Sequence, residues 1–205
     1  MPRITTLVFD LGGVLIDWNP IYLYNSVIPD TEERRRFLNE VCTMDWNEEQ
    51  DAGRPLREGT QHLIGKFPEQ ETQIRAYYDR WEEMLGGAIR GTVEILRHCK
   101  FDAGMKLYAL TNWSAETFPL ALARYDFLHW FDGRLVSGEE KIRKPSPDFY
   151  QLLIHRYHIR PENAVYVDDN FRNLAPAAAL GFHTIHFQSP EQLKLELSAI
   201  DGFQW

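Results

Sequence analysis

Four short apolar segments, separated by helical patterns, constrain the fold of this chain more than any other feature. They cover residues 4–9, 105–110, 164–167 and 183–187. Continuous apolar runs of this length are typical of strands that are buried on both faces of a sheet. Helical patterns cover residues 92–99, 115–124, 147–157 and 173–180. The alternation of strand and helix predicts an α/β fold with a Rossmann-like parallel sheet and crossover helices.

Residues 17–89 show a different pattern. They lack strand-like runs, are rich in charged and aromatic residues, and are interrupted at Pro29, Gly53, Pro55, Gly86 and Gly87. We predict an all-helical cap inserted after the first strand, with residues 1–16 and 90–205 forming the core. The alternative is a set of extra helices packed on the side of that core. The last residues offer one feature, Trp205, as a candidate for docking on the core.

Polar side chains follow three of the four predicted strands. Asp10 follows the first, Thr111 and Asn112 the second, and Asp168 and Asp169 the third. In open parallel sheets, ligands bind outside the carboxyl ends of the strands, so these side chains are expected to meet at one site. Asp10 precedes a turn with two glycines, where the backbone can approach a ligand closely. Its carboxylate could attack a phosphorus centre or bind a cation.

The adjacent carboxylates of Asp168 and Asp169 repel each other unless a cation or a basic group neutralises them. Oxygen ligands without a His or Cys cluster favour Mg²⁺ over Zn²⁺. The structural alternative is that Asp169 or Asn170 caps the helix that follows.

Two further segments have side chains suited to an anionic ligand. Thr111 and Asn112 lie ahead of a helix and can hold an anionic oxygen, although Asn112 or Ser114 could instead simply cap that helix. Lys144, which precedes a proline and the helix at 147–157, could reach a phosphoryl group and a carboxylate nucleophile together. The alternative for Lys144 is an ordinary surface lysine.

The order of these segments resembles the haloacid dehalogenase-like superfamily over residues 4–16 and 90–187. More narrowly, it resembles the sugar-phosphate phosphatases of that superfamily, such as the bacterial α-glucose-1-phosphate phosphatases. Those proteins also carry Phe-Asp-Leu-Gly and Asp-Asp-Asn, which stand here at residues 9–12 and 168–170. The resemblance implies a Mg²⁺-dependent phosphatase that acts on a small phosphorylated metabolite.

The resemblance also implies a role for each matching residue, and the roles fall into three groups. Asp10 is the nucleophile that becomes an aspartyl phosphate, and it also ligates the metal. Lys144 neutralises charge around Asp10 and the phosphate, while Thr111 and the Asn112 amide hold the phosphoryl oxygens. The metal ligands are Asp10, the carbonyl of Gly12, and Asp169, with Asp168 beside it as a ligand or a supporting acid.

Position 12 departs from the pattern of most phosphatases in this superfamily, which have there a second aspartate that acts as general acid and base. Such a group is typically worth ~10²–10⁴-fold in rate. Three alternatives remain open. Water or another carboxylate, such as Asp17, replaces it; the substrate has a better leaving group, such as an anomeric or acyl phosphate; or the chain is a poor enzyme.

Two other functions are compatible with the same motifs. The haloacid dehalogenases use the aspartate nucleophile without a metal and also lack the second aspartate. Asp168 and Asp169 argue against this function, because they would disfavour a carboxylate substrate. A non-catalytic protein that binds a phosphorylated metabolite is the third hypothesis.

The segment at residues 46–54 is where we expect the cap to contact the substrate. Gly53 would allow a tight bend, Arg54 or Arg57 could bind an anionic or hydroxylated substrate, and Trp46 could stack on it. The structural alternative is that Gly53 ends one helix and Pro55 starts the next.

The composition of the chain indicates which partners and which location to expect. The net charge of −8, with no basic cluster that reads as a binding face, argues against nucleic acid as a partner. No run of 18 apolar residues predicts a membrane span, and no apolar signal segment precedes the first strand. A cytoplasmic location is therefore expected, with Cys42 and Cys99 as unpaired thiols.

Overall fold

The computed structural model describes residues 3–200, so Trp205 lies outside the described part of the chain. A five-stranded parallel sheet forms the centre, in the order β5-β4-β1-β6-β7. Its strands are β1 (Thr6–Phe9), β4 (Lys106–Thr111), β5 (Gly133–Val136), β6 (Ala164–Asp168) and β7 (His183–His186). This architecture confirms the predicted α/β fold class.

Helices cover both faces of the sheet, and the central strands are buried on both sides. In β1, Leu7 and Phe9 belong to one apolar core while Val8 belongs to the other. The helices that follow the cap region are α6 (Arg90–Arg97), α7 (Phe118–Arg124), α8 (Ser137–Glu140), α9 (Pro147–Tyr157), α10 (Leu174–Ala179) and α11 (Pro190–Ser198). Burial on two faces is the physical reason that these strands appear in the sequence as unbroken apolar runs.

The four strands predicted from apolar runs are confirmed with shifts of one or two residues, and helix α9 has the predicted bounds. Helix α7 begins at Phe118, three residues later than predicted. Strand β5 escaped prediction because Gly133–Val136 contains only two apolar residues, both at its end. It forms at the edge of the sheet by pairing with β4.

The expectation that residues 17–89 contain no strand is wrong at both ends of that segment. Strand β2 (Ile16–Trp18) pairs antiparallel with β3 (Leu85–Ala88) and forms a two-stranded ribbon. Two of the four residues of β3 are glycines, which have low strand propensity, so the local sequence gives no strand signal. Pairing with β2 supplies the stabilisation that the local sequence lacks.

Five α-helices lie between the two strands of the ribbon, and we call them the cap helices. They are α1 (Pro20–Val27), α2 (Thr31–Glu40), α3 (Met44–Asp51), α4 (Leu56–Lys66) and α5 (Glu71–Asp79). Both cysteines are buried free thiols, as expected. Within residues 3–200, no helix has the length and apolar character needed to cross a bilayer.

Candidate active site

Asp10 lies at the carboxyl edge of the sheet, directly after β1. Its N–H donates to the carbonyl of Val167 in β6 at 2.9 Å. Its Oδ1 accepts from the N–H of Leu11 at 2.7 Å, and its Oδ2 lies 2.8 Å from Nζ of Lys144. These contacts fix the orientation of a carboxylate at the edge where ligands of parallel sheets bind.

Lys144 is fully buried and connects two carboxylates. Its Nζ lies 2.8 Å from Oδ2 of Asp10 and 2.7 Å from Oδ2 of Asp168. The side chain of Asn112 holds the main chain of Lys144, because Oδ1 accepts from its N–H at 2.9 Å and Nδ2 donates to its carbonyl at 3.0 Å. Asn112 therefore positions the lysine through its side chain, and phosphoryl binding stays a prediction for its main-chain amide.

Asp168 is surrounded by donors. Besides Lys144, its oxygens accept from the N–H of Asn170 at 2.8 Å, from Nδ2 of Asn173 at 3.0 and 3.1 Å, and from the hydroxyl of Tyr166. With both oxygens already engaged and the side chain fully buried, Asp168 is better placed to support the site than to face a ligand. Of the two alternatives for Asp168, the contacts favour the supporting acid.

The carboxylates of Asp10, Asp168 and Asp169 meet, with one oxygen from each lying within 4.8 Å of the others. Lys144 supplies a single positive charge to this group, so negative charge is in excess. Burial is the main cause that raises the pKa of Asp10 to about 7; Lys144 lowers it, and Asp168 and Asp169 raise it further. Burial and Asp168 also raise the pKa of Asp169. A bound cation would remove this excess charge.

Two glycines lie close to Asp10, and backbone conformation and space require glycine at only one of the two positions. Gly13 has a φ of +72°, and a Cβ there would lie 2.2 Å from Oδ2 of Asp169. Only glycine fits at that position without strain. Gly12 has no atom within 4 Å of the equivalent Cβ position, so packing does not require glycine there. The lack of a carboxylate at position 12 is therefore not imposed by space.

A cavity of about 320 Å³ opens above Asp10 between the sheet edge and the cap helices. Its floor includes Asp10, Gly12, Lys144 and Asp169. Its walls are a mixture of aromatic and polar side chains, among them Trp18, Asn47, Glu48, Asp51, Tyr78, Trp81, Trp113, Ser114 and Thr117. A volume of this size is at the lower end of the range for small-molecule sites.

Thr111 and Arg54 were predicted to contact the substrate. The hydroxyl of Thr111 is buried at the end of β4 and has no hydrogen-bond partner among residues 3–200. Arg54 pairs with Glu49, and its Nε donates to Gln50 at 2.6 Å. Neither residue lines the cavity described above. Their roles stay predictions.

Lys144 and Asn112 line the cavity, whereas three further residues considered for substrate contact or proton transfer lie away from it. Trp46 is buried against Tyr77 and donates through Nε1 to a main-chain carbonyl in α4, so it acts as a packing residue. Arg57 is exposed. Asp17 accepts a hydrogen bond from Tyr22 at 2.7 Å within the β2–β3 region and does not line the cavity.

The segment predicted to contact the substrate, residues 46–54, contains two acidic residues of α3 that line the cavity, Glu48 and Asp51, which sequence reasoning did not single out. They are three residues apart, which places them on one face of a helix, and this spacing was the available signal. Glu48 makes ion pairs with Arg143 at 3.0 Å and with Arg172 at 2.8 Å, both from the core. Asp51 has no such cationic partner among the ion pairs of the described residues.

The fold and the site define an α/β protein with an aspartate and a buried lysine at the carboxyl edge of a parallel sheet. Residues 4–181 match the family described as haloacid dehalogenase-like hydrolase. The chain belongs to this family.

Relatives and solved structures agree with this assignment. The chain is 26% identical to a sesquiterpene phosphatase from Aspergillus oryzae over 95% of each protein. It is 25% identical to a phosphorylated carbohydrates phosphatase from Thermotoga maritima, over 88% of this chain and 83% of that protein. It spans only 37% and 9% of the lengths of two further relatives.

A family enzyme from Bacteroides thetaiotaomicron, crystallised with magnesium and inorganic phosphate, has a similar fold. Its TM-score is 0.71 at 21% identity, covering 91% of this chain and 95% of that one. The match over nearly the full length supports the fold assignment. Together with the named phosphatases, the comparisons support a phosphoric monoester hydrolase.

Proposed function

We propose that this protein hydrolyses small phosphomonoesters through an aspartyl phosphate on Asp10, with Mg²⁺ as cofactor. The observation that carries the proposal is the Asp10 carboxylate, held by Lys144 at 2.8 Å on the floor of the cavity between the sheet and the cap helices. A carboxylate in this setting can attack phosphorus and divide the hydrolysis into two easier steps.

The chain's own residues supply orientation and charge for both steps. Leu11 and Lys144 hold one oxygen each of Asp10, so the nucleophile needs no reorganisation before attack. Lys144 remains positively charged, because its ion pairs with Asp10 and Asp168 outweigh burial and raise its pKa. A buried ammonium group beside the reacting atoms stabilises the extra negative charge of the transition state.

The donor set fits Mg²⁺. Asp10 and Asp169 present carboxylate oxygens to the cavity floor, and the main chain of Gly12 lies beside them. An all-oxygen set with excess negative charge is what a hard divalent cation prefers. We expect Asp10, Asp169 and the Gly12 carbonyl to hold the ion, with Asp168 keeping Lys144 in place. Mg²⁺ bound there would supply additional charge stabilisation for the phosphoryl group.

The cavity favours a small phosphorylated metabolite, with sugar phosphates as the first class to test. Aromatic side chains such as Trp18, Trp81 and Trp113 can stack on a sugar ring, and Asn47 and Ser114 can bind hydroxyl groups. The similarity to a phosphorylated carbohydrates phosphatase supports this choice. The cytoplasmic location expected from the sequence stays a prediction.

The dehalogenase alternative is disfavoured by charge. A carboxylate substrate would approach Asp10, Asp168 and Asp169 with Lys144 as the single cation bonded to that cluster among the described residues. Like charges in one buried site are costly. The same excess of negative charge favours a substrate that arrives with a divalent cation.

The proposal is tested with p-nitrophenyl phosphate, measured with Mg²⁺ and with EDTA, for the wild type and Asp10→Asn. We expect metal-dependent turnover that the substitution abolishes. Asp45→Asn, an exposed carboxylate on α3 away from the cavity, is the matched control and should retain activity. A panel of sugar phosphates then compares substrates.

Three outcomes would contradict the proposal. Turnover that persists in Asp10→Asn would exclude this nucleophile, and turnover unaffected by EDTA would exclude the metal. Absence of turnover on every phosphate ester would exclude the phosphatase; release of chloride from 2-chloropropionate would then indicate a dehalogenase. Phosphate binding without any turnover would indicate a non-catalytic binding protein.

A further inference from the structure

Hydrolysis at Asp10 requires a proton donor that the β1 loop does not contain. An alkyl phosphate releases an alkoxide, which is a poor leaving group unless it is protonated as it departs. Gly12 and Gly13, beside Asp10, have no side chains. The donor must therefore come from another wall of the cavity.

The geometry of displacement indicates which wall. In phosphoryl transfer, the attacking and leaving oxygens lie roughly in line on opposite sides of phosphorus. Asp10 attacks from the sheet edge, so the leaving oxygen points away from the sheet towards the cap helices. Helix α3 contributes Met44, Asn47, Glu48 and Asp51 to that side of the cavity. Water that later hydrolyses the aspartyl phosphate also approaches opposite Asp10, so one group on α3 can serve both steps.

Four carboxyl groups from the described residues line the cavity, and three of them are engaged elsewhere. Asp10 is the nucleophile and Asp169 belongs to the carboxylate cluster below it. Glu48 uses one oxygen for Arg143 and the other for Arg172. With both oxygens paired to arginines, Glu48 has no free oxygen to meet a leaving group. Asp51 is the fourth.

A chain of hydrogen bonds fixes the orientation of Asp51. Nδ2 of Asn47 donates to Oδ2 of Asp51 at 2.9 Å. Oδ1 of Asn47 accepts from the hydroxyl of Tyr78 at 3.0 Å, and that hydroxyl accepts from Gln50 at 3.1 Å. The main-chain carbonyl of Asp51 accepts from the hydroxyl of Ser137, which fixes this end of α3 to the core. The side chain of Asp51 is thus held by Asn47 of the cap, and its main chain by Ser137 of the core.

We infer that the carboxyl group of Asp51 donates a proton to the leaving oxygen and then accepts one from the attacking water. This inference rests on the proposed phosphatase function. In the first step, Asp10 forms a bond to phosphorus, the ester P–O bond breaks, and the proton of Asp51 passes to the departing oxygen. In the second, water bonds to phosphorus, its proton returns to Asp51, and the bond between phosphorus and Asp10 breaks.

The charges around Asp51 suit this exchange. Burial is the main cause that raises its pKa to about 7, and Glu48 raises it further. The N–H of Ser114, the charge of Arg143 and the amide of Asn47 act in the opposite direction. A carboxyl group whose pKa lies near neutrality can act as acid and base in turn.

The test compares wild type, Asp51→Asn and the control Asp45→Asn on p-nitrophenyl phosphate and propyl phosphate, in rapid-mixing experiments with Mg²⁺. p-Nitrophenolate leaves without protonation, whereas propoxide must be protonated as it leaves. In Asp51→Asn we expect a burst of about one equivalent of p-nitrophenol per site, followed by turnover slowed ~10²–10⁴-fold. With propyl phosphate, Asp51→Asn should show no burst, and its turnover relative to the wild type should fall by the same factor or by more.

Two outcomes with Asp51→Asn would overturn the inference. One is turnover of both substrates within about tenfold of the wild type, which is below the usual effect of a general acid or base. The other is an equal loss on both substrates without a burst, which would indicate a structural role alone. Either result leaves the phosphatase proposal intact as long as the wild type turns over and Asp10→Asn does not.

The wild type provides a measurement that does not depend on the folding of any variant. Protonation by Asp51 predicts a shallow dependence of kcat/KM on the leaving group. A preference of the wild type for p-nitrophenyl over propyl phosphate exceeding ~10⁴-fold would mean that the alkoxide departs without assistance, and would overturn the inference.

Discussion

Individual residues at the floor of the cavity show how a buried charge is kept stable. The side chain of Lys144 is fully buried. Its Nζ lies within 2.8 Å of two carboxylates, one directly after β1 and one in β6. Removing one partner from a buried ion pair typically costs about 3–5 kcal/mol, because the remaining charge is left unpaired. Lys144 pairs with both Asp10 and Asp168, so replacing either carboxylate leaves the lysine paired with the other.

Asp51 gives the first prediction, at the scale of one residue. Its pKa is raised from 3.8 to about 7, so between these values the folded chain binds a proton that the unfolded chain has lost. The contribution of Asp51 to stability should therefore fall as pH rises through this window, with a slope of at most about 1.4 kcal/mol per pH unit, in addition to the change that Asp10 causes in the same direction. Asp51→Asn removes that contribution. Urea denaturation in EDTA from pH 4 to 8 should show the variant gaining stability relative to the wild type.

Asp45→Asn serves as the control for the loss of one carboxylate from α3. A difference between Asp51→Asn and the wild type that stays constant across this pH range would show that Asp51 ionises equally in the folded and unfolded chain.

Secondary-structure elements bring the cap and core side chains to one place. The C-terminal turn of α3 is fixed to the core by Ser137, and Gly53, with a φ of +102°, lies against Lys141 and Gly138. The positive φ fits the predicted bend, and the structural alternative also holds, because α3 ends at Asp51 and α4 begins at Leu56, directly after Pro55. Helix α8, only four residues long, thus contacts both the cap helices and the loop after β4.

Gly138 in α8 gives the prediction at this scale. A Cβ at this position would lie 2.4 Å from the main-chain nitrogen of Ala115 and 2.8 Å from the carbonyl of Trp113. Gly138→Ala should therefore displace the loop that carries Trp113 and Ser114, at a cost of about 1–3 kcal/mol or more. We expect a melting temperature lowered by roughly 2–4 °C per kcal/mol, with reduced phosphatase activity.

Gly65→Ala is the matched control, since Gly65 lies on the exposed side of α4 with no atom near its Cβ position. Alanine there should stabilise the helix by about 0.5–1 kcal/mol. Equal melting temperatures for the two variants would contradict the close packing at Gly138.

The whole molecule consists of a doubly covered parallel sheet and cap helices joined to it through the β2–β3 ribbon. Ion pairs from Glu48 to Arg143 and Arg172, and a hydrogen bond from the N–H of Leu56 to Glu116, also connect cap and core. Exposed ion pairs contribute little each, typically 0–1 kcal/mol. Apolar packing adds to these polar contacts, since the ring centroids of Trp81 and Trp113 lie 5.6 Å apart between cap and core.

Metal binding gives the prediction at the scale of the whole protein. Any ligand that binds only the folded chain stabilises it, by about 2.7 kcal/mol at a hundred times its Kd. Saturating Mg²⁺ should therefore raise the melting temperature of the wild type by roughly 5–10 °C relative to EDTA. Asp169→Asn should lose most of this increase, while Asp45→Asn keeps it. An unchanged increase in Asp169→Asn would exclude Asp169 as a ligand.

The fold class, and the strand ends at which the candidate site lies, could be predicted from local sequence patterns. Apolar runs locate β1, β4 and β6, because strands buried on two faces require them. The residue that follows each run, such as Asp10, must then lie at the carboxyl edge. The buried position of Lys144 and its contact with Asp10 agree with the expectation from its place before α9.

Which distant side chains share the cavity depends on how the cap helices pack against the core. Glu48 and Arg172 are 124 residues apart, and Asp51 lines a cavity whose floor includes residues that follow β1 and β6. Likewise, Arg54 and Trp46 have suitable chemistry, but helix packing directs them to partners within the cap helices. Local patterns fix strands and helices because neighbours along the chain determine burial, whereas the direction of a cap side chain depends on how separate elements pack.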